Sequence, residues 1–445
     1  MIRVWCITVM LACATAASAQ TSSRTLSLDE AIAIAVDQNR TLANATLAAE
    51  NADHDVATAR TRLLPSFKIE TQASQLLTPV DITFSRGAFG DFPATGPVPS
   101  TETTLTTPRK LTTVVDASVS QPLTQLHEIG LRIRMAEAGR DIEREQARAV
   151  RVALVGDVKR LYYSILQTYS ARNAARAQAT QLMELERVVT NRVEQRVALR
   201  GSAIEVQARV AQSRLTLLTL DNTIESHKEQ LNRLLGRDVR TTFELAGVPE
   251  PTSAELNVDE AVARALGSRP DVKQAQAKLR QAELSRRVAK ADYLPDVSVA
   301  ASYLSPMSID GLPKNIASVG IQLQWEPFDW GRKSHAVASA VIATRRARNG
   351  LDDAEQQAIV DVNSGFRRLA EARLRLEATT LAQDAARENT RVKLAQFNTD
   401  AALAADVLQS HTAFADATNQ YQQALMTYFT ARADFDRALG EDVTK

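Results

Sequence analysis

The chain is written twice over. Leu26-Ser27-Leu28-Asp29-Glu30-Ala31 recurs as Leu256-Asn257-Val258-Asp259-Glu260-Ala261, an offset of 230 residues (256 less 26), and this offset holds without a gap to Leu64-Pro65, matched by Leu294-Pro295. Further on, Gln121-Pro122-Leu123 recurs at Glu326-Pro327-Phe328, and Leu235-Gly236-Arg237-Asp238-Val239 at Leu439-Gly440-Glu441-Asp442-Val443. Solenoid repeats have periods of about 20–50 residues, so this spacing belongs to one large structural unit built twice. The copies run over 20–236 and 256–445, with a linker at 237–255.

Both copies follow one grammar. Each opens on a short capped helix: Ser27-x-x-Glu30 is a capping box, and Asn257 is a good N-cap. A second helix starts near Thr41 in one copy and at Pro270 in the other, where proline suits the first turn, and must stop before Pro65 or Pro295. The period then changes to two. Phe67, Ile69, Thr71 and Ala73 alternate with Lys68, Glu70, Gln72 and Ser74, and Val115, Ala117 and Val119 with Asp116, Ser118 and Ser120. In the second copy Val297, Val299, Ala301 and Tyr303, and then Val319, Ile321, Leu323 and Trp325, alternate with polar or small residues. Each copy therefore has two strands with one apolar and one polar face. Such a sheet can lie on a soluble core, or it can belong to a membrane barrel with lipid outside and water inside. The connection from about Leu77 to Thr112 reads as a long loop, and its counterpart around Ser305–Asn315 as a short one. The offset accordingly falls to 205 residues (327 less 122). Long loops on one side of a barrel face the outside.

Very long helical runs follow the strands. One spans about Thr124 to Leu199 with a partner from Ser202 to Leu235; the second copy has Arg332 to Gln396 and Ala401 to Leu439. A run of roughly 65–75 residues extends on the order of 100 Å. Apolar residues step by three and four along Val155, Val158, Tyr162, Ile165 and Tyr169, and along Val407, Ser410, Phe414, Ala417, Tyr421, Ala424, Tyr428, Ala431 and Phe435. These are coiled-coil stripes. Asn349-Gly350 interrupts one run and marks a local kink.

The leader fits export. Arg3 precedes an apolar run from Val4 to Ala12, and Ala17-Ser18-Ala19 before Gln20 is a small-residue cleavage site, so 1–19 reads as a signal peptide. Met10-Leu11-Ala12-Cys13 loosely resembles a lipoprotein box, which leaves lipidation at Cys13 as a second route. Both cysteines, Cys6 and Cys13, fall in this leader, so ordinary cleavage leaves no thiol chemistry. No later stretch has about 18 consecutive apolar residues, which excludes a transmembrane helix after it. Lys+Arg number 53 against Asp+Glu 52, without the basic surplus of a nucleic-acid protein. Enzyme constellations are absent: Gly331-Arg332-Lys333-Ser334 lacks the upstream glycine of a phosphate loop, and the five histidines are isolated from one another. No metal site, cofactor site or catalytic residue is expected.

Four strands cannot close a barrel, and an open edge is not tolerated in lipid. Two chains would supply eight strands, whose interior side chains fill; three would supply twelve, wide enough for an aqueous lumen. The long helices would then continue as a second, helical tube. Trp325, Phe328 and Trp330 sit where strand gives way to helix, as membrane-interface aromatics or as ordinary packing at a strand end.

The Leu-Asp-Glu-Ala opening, the Leu-Pro before each first strand, the duplication and the Leu-Leu-Gly-Arg that closes the first half resemble the TolC family of outer-membrane efflux proteins over nearly the whole mature chain. The resemblance implies a mixed α/β membrane protein. Its long antiparallel coiled-coil hairpins form an α-barrel, its four transmembrane strands join a 12-stranded trimeric β-barrel, and an equatorial domain lies between. It implies a homotrimer in the outer membrane with a periplasmic extension, a passive exit duct for efflux or type I secretion, partnered by a periplasmic adaptor and an inner-membrane pump. The adaptor would dock on the helical hairpin tips, here Leu199, Arg200, Gly201 and Ser202, and Asn398 and Thr399; Asp400 and Asp406 are candidates for an acidic periplasmic entrance. The second tip lacks the family's glycine. The competing expectation is a periplasmic coiled-coil adaptor or scaffold without a membrane barrel, although such proteins usually carry one hairpin and lack paired amphipathic strands.

Overall fold

The computed structural model describes residues 25–75, 77–107, 111–196, 199–247, 257–307, 313–399, 401 and 404–440. The leader with Cys6 and Cys13, most of the linker's second half and Asp400 lie outside the described residues.

In chain order the elements are β1 (Thr25–Leu26), α1 (Leu28–Gln38), α2 (Arg40–Thr61), β2 (Ser66–Gln75), β3 (Val80–Phe84), β4 (Asp91–Phe92), β5 (Gly96–Pro97), β6 (Thr103–Thr107), β7 (Leu111–Pro122), α3 (Leu126–Glu194), α4 (Arg200–Leu234), β8 (Glu244–Leu245), α5 (Val258–Ser268), α6 (Pro270–Ala291), β9 (Asp296–Met307), β10 (Ile316–Gln324), α7 (Arg332–Asn398) and α8 (Ala404–Leu439). The duplication is kept closely: α1 and α5 both have 11 residues, α2 and α6 both have 22, α3 and α7 have 69 and 67, and α4 and α8 have 35 and 36. The caps recur as well. Glu30 N donates to Ser27 Oγ at 3.2 Å, and Asp259 N to Asn257 Oδ1 at 3.0 Å.

Three expectations change. The long outer connection carries four short strands, because its own alternation (Ile82, Phe84; Leu105) lets β3 pair with β6. The linker contributes β8, which pairs in parallel with β1. Finally, α7 runs through Asn349-Gly350 without a break, and a Cβ at Gly350 would meet nothing within 4 Å. The hydrogen-bond ladder of so long a helix absorbs one glycine at a cost of about 1 kcal/mol.

The chain divides into two compact units, and each draws on both copies. The first comprises the described residues of Met1–Ala43, Val150–Val262 and Asp361–Lys445. Here four helices form a row α4-α3-α8-α7. Arg172 of α3 pairs with Asp221 of α4 at 3.7 Å. Lys159 of α3 pairs with Asp436 of α8 at 3.7 Å, and Tyr163 stacks on Phe429 at 5.2 Å. Thr390 of α7 donates to Ser410 O of α8 at 3.0 Å. Val158, Tyr162, Ile165 and Phe435, all fully buried, fill the core of the row, which is where the heptad stripes point. Glycine permits the tight approach of α7: a Cβ at Gly365 would lie 3.2 Å from the Phe435 ring.

The recurring Leu-Gly motif is also explained here. Gly236 turns the chain with φ 75°, and a Cβ there would lie 2.1 Å from Gln38 O. Gly440 repeats the left-handed turn at φ 69°. Just before Gly236, fully buried Asn232 donates to Val239 O at 2.9 Å and Thr241 O at 2.8 Å, and accepts from Arg237 Nε at 2.6 Å. Burial holds the Arg237 guanidinium below its ordinary pKa, against the pull of Glu30, and it lies 4.7 Å over the Phe243 ring.

The second unit comprises Asn44–Ala149 and Ala263–Val360. Its four-stranded sheet has the order β10-β9-β7-β2, antiparallel throughout. A small core of Leu131, Ala138, Leu284 and Val288 joins α3 to α6, and Arg144 clamps Asp53 of α2 at 3.0 Å.

Candidate membrane face, helical seams and hairpin tips

The register fixes which side chains share a face of the sheet. Phe67 pairs with Val119, Val119 with Ala301, and Ala301 with Val319. The same face carries Ile69, Ala117, Tyr303, Val299, Ile321 and Leu323. Every charged residue of the four paired strands, Lys68, Glu70, Asp116 and Asp296, falls on the opposite face. The apolar face is open: Val319 is 80% exposed, and Phe67, Ile69, Ile321 and Leu323 are exposed with it. A contiguous apolar surface of this kind marks a lipid or protein contact. Among the described residues, β2 has no neighbour along one outer edge of the sheet and β10 has none along the other.

The aromatics of the strand-to-helix junction are exposed. Trp330 is 88% exposed, with Trp325 and Phe328 also open, and Phe328 meets Trp330 edge-on at 4.8 Å. The turn is tightly made: Trp330 takes φ 55° and Gly331 φ 87°. Asp329, absent from the residues that the sequence singles out, organises it by accepting from Lys333 N at 2.8 Å and Gly331 N at 3.1 Å. Those donors, Lys333 first, hold its carboxyl below the usual carboxylate range. Asp two residues ahead of Gly at a helix start is the signal that could have found it. Arg332 pairs with Glu326 across the same turn.

The two outer helices of the row carry a second stripe. On α4, Val206, Val210, Ile224 and Leu231 are buried, while Ile204, Ala208, Ala211, Leu215 and Leu218 step by four and three along another line and are exposed. On α7, Val362, Leu369, Ala372 and Leu376 are buried, while Leu374, Ala378, Leu381 and Ala385 form an exposed line with the same spacing. A helix with two heptad lines has two neighbours to satisfy, and α4 and α7 have one each within this row. The sequence reading covers the first kind of line and misses the second, although its spacing is legible.

The predicted tip residues lie at helix ends. Leu199 precedes α4 with extended backbone, has no side-chain cap and is 79% exposed. Arg200 begins the helix; Gly201 is exposed, and a Cβ added there would meet nothing within 4 Å; Ser202 lies in the first turn. Arg196, two residues past the end of α3, takes φ 62° in the place a glycine would favour. Asn398 ends α7, and Thr399 turns back to donate to Gln396 O at 3.0 Å. Asp406 is half-buried in the first turn of α8, where an acidic side chain suits the helix dipole. Among the described residues no helix is long and apolar enough to cross a membrane.

A family model described as Outer membrane efflux protein matches residues 31–237 and 261–441, most of the chain and both copies. The fold is similar to the crystal structure of the CmeC outer membrane channel of Campylobacter jejuni: TM-score 0.75 at 15% identity, covering 93% of this chain and 85% of that one. It is similar also to the outer membrane protein VceC of Vibrio cholerae: TM-score 0.71 at 16% identity, covering 93% and 96%. An uncharacterised protein of Haemophilus influenzae is 24% identical over 227 residues, 48% of this chain; the match spans about half of that relative, 49%.

Proposed function

The chain belongs to the outer membrane efflux protein family, and from that premise we propose that three copies close into a passive exit duct through the outer membrane. One observation carries the reading: both layers are open rows with unsatisfied ends. The sheet exposes two unpaired edges and an uncharged apolar face, and the helical row exposes an apolar heptad line at each end. Joining the β2 side of one copy to the β10 side of the next satisfies the sheet, and joining α4 of one copy to α7 of the next satisfies the helical row. Such a heterologous contact closes into a ring. The even strand count keeps every new pair antiparallel and every apolar side chain outward. Three copies supply twelve strands, enough for a water-filled lumen lined by Lys68, Glu70, Asp116 and Asp296.

Trp325, Phe328 and Trp330 then anchor the barrel at the membrane interface, where amphipathic rings are favoured. Asp329 and Lys333 hold the turn that presents them. The long helices extend the conduit into the periplasm. Leu199, Arg200, Gly201 and Ser202, with Asn398 and Thr399, form the docking tips for a periplasmic adaptor joined to an inner-membrane pump that energises transport. Asp400 and Asp406 line the entrance. The chain itself passes substrate without chemical change and uses no cofactor.

Fractionation tests the reading. The protein should sediment with outer membranes and run, unboiled in SDS, as a trimer that heating converts to monomer. Soluble, monomeric protein after lysis sinks it. For the entrance, Asp400→Lys should change conductance and ion preference in planar bilayers, and unaltered currents would remove Asp400 from that role.

A further inference from the structure

Residues 77–107, between β2 and β7, form an arm whose one-sided surface asks for a partner. Strands β3 and β6 pair from Val80–Thr107 to Phe84–Thr103, beyond the last pair of the barrel strands, Gln75–Leu111. The bonding continues to the tip: Gly87 N donates to Pro99 O at 3.0 Å, Phe89 N to Val98 O at 2.9 Å and Val98 N to Gly90 O at 2.9 Å, after which β4 pairs with β5. Gly87, Gly90 and Gly96 supply the positive φ angles that these turns need.

The alternation gives the arm two different faces. Ile82 lies opposite Leu105 on one face with Phe84, whose ring meets Phe89 at 4.9 Å. The other face carries Asp81, Thr83, Thr104 and Thr106, with a Thr83–Thr104 hydroxyl contact of 3.0 Å. The apolar face is uncovered: Ile82, Phe89 and Leu105 are all exposed. Ordering each residue costs about 1–2 kcal/mol, and a two-stranded hairpin is marginal on its own in water. An arm bonded along its length needs that face buried.

We infer that the apolar face of this arm packs against the neighbouring copy of the chain, so that three arms make a collar around the outer mouth of the duct. The inference rests on the proposed trimer. One observation chooses the occupant. The arm rises from β2, the edge strand to which the next copy must add its β10, so that copy is the nearest apolar surface available. The second copy has only eight residues, 308–315, between β9 and β10, too few for a second arm, so each neighbour pair is served by one arm.

Cysteine cross-linking of the full chain in outer membranes tests this. Leu105→Cys and Ile82→Cys, treated with a short bis-maleimide, should give covalent dimers and trimers on boiled gels. Thr104→Cys, on the opposite face, should give few. If unboiled gels show an intact trimer but Leu105→Cys links no better than Thr104→Cys, the collar is wrong while the duct stands. If no trimer forms, both fall. Linking of Leu105→Cys to other membrane components in place of a second copy would also overturn it.

Discussion

Tyr162 donates its hydroxyl to the carbonyl oxygen of Ala246 at 2.6 Å, reaching from the middle of a 69-residue helix to the short β1–β8 pairing. Leu26 O lies 3.1 Å from the same hydroxyl and also receives Ala246 N at 3.0 Å, so one phenol ties the start of the chain to the segment between the two copies. Tyr162→Phe should leave assembly intact and cost about 1–2 kcal/mol, the value of a buried hydrogen bond whose acceptor is stranded. Thermal unfolding in detergent would read it. Burial pushes the phenol up to about 12. A raised folded-state pKa means this stabilisation is complete below about pH 10, the unfolded value, and declines as pH climbs towards 12. The gap between wild type and Tyr162→Phe should therefore narrow over that window.

Two glycines of the same chain should respond in opposite directions to one methyl group. Gly236→Ala needs a left-handed backbone and drives Cβ to 2.1 Å from Gln38 O. Strain and overpacking together should cost about 2–5 kcal/mol. Gly130→Ala sits inside α3 with nothing within 4 Å of the added carbon, and should stabilise by about 0.5–1 kcal/mol. Melting temperatures of the purified proteins decide both, and a neutral Gly236→Ala would contradict the turn described.

Arginine placed on either face of β10 should distinguish lipid from lumen. Val319→Arg puts a charge on the apolar face and should cost about 2–4 kcal/mol in a bilayer, seen as a lower heat-modification temperature and less protein in the outer membrane. Gln322→Arg, on the charged face, should insert normally and shift ion preference instead. Equal insertion of the two variants would mean that the apolar face does not meet lipid.

The second heptad lines should be needed for assembly and dispensable for the fold of the single chain. A leucine buried at a seam contributes about 1.5–3 kcal/mol, and a glutamate there adds the cost of desolvating a charge. Leu218→Glu on α4 and Leu381→Glu on α7 should each abolish the SDS-resistant trimer while circular dichroism keeps its helical signal. A pair joined by the ring, Leu218→Glu with Leu381→Lys, should recover part of it. Trimers unaffected by either single change would place the seam elsewhere.

Much of this architecture was written locally. The caps at Ser27 and Asn257, the stops before Pro65 and Pro295, the alternation at Phe67–Ala73 and Val319–Leu323 and the stripe through Val158, Tyr162 and Ile165 all became the elements that their spacing foretold, while Trp325 falls just past the end of β10. Where reading stopped short, the missing information was of a different kind. Ile82 and Leu105 are 23 residues apart (105 less 82) across glycine-rich sequence, so β3 and β6 could not be seen as partners from either run alone. Asn349-Gly350 looked like an interruption because local propensity opposes helix there, and the surrounding ladder carries α7 through it. Leu215 and Leu374 lie outside the stripes that the sequence marked, on lines that stay exposed among the described residues.

The sequence by itself determined a duplicated unit, its helices and strands, the amphipathic character of each, and the family to which the chain belongs. Periodicity carries that information because 3.6 and 2 residues per turn are properties of a few consecutive bonds. The tertiary structure decided the order β10-β9-β7-β2, the row α4-α3-α8-α7, the clasp of Tyr162 on Ala246, and which apolar lines remain uncovered. Those depend on which distant surfaces meet, and an amphipathic stripe states that it must be buried without stating against what.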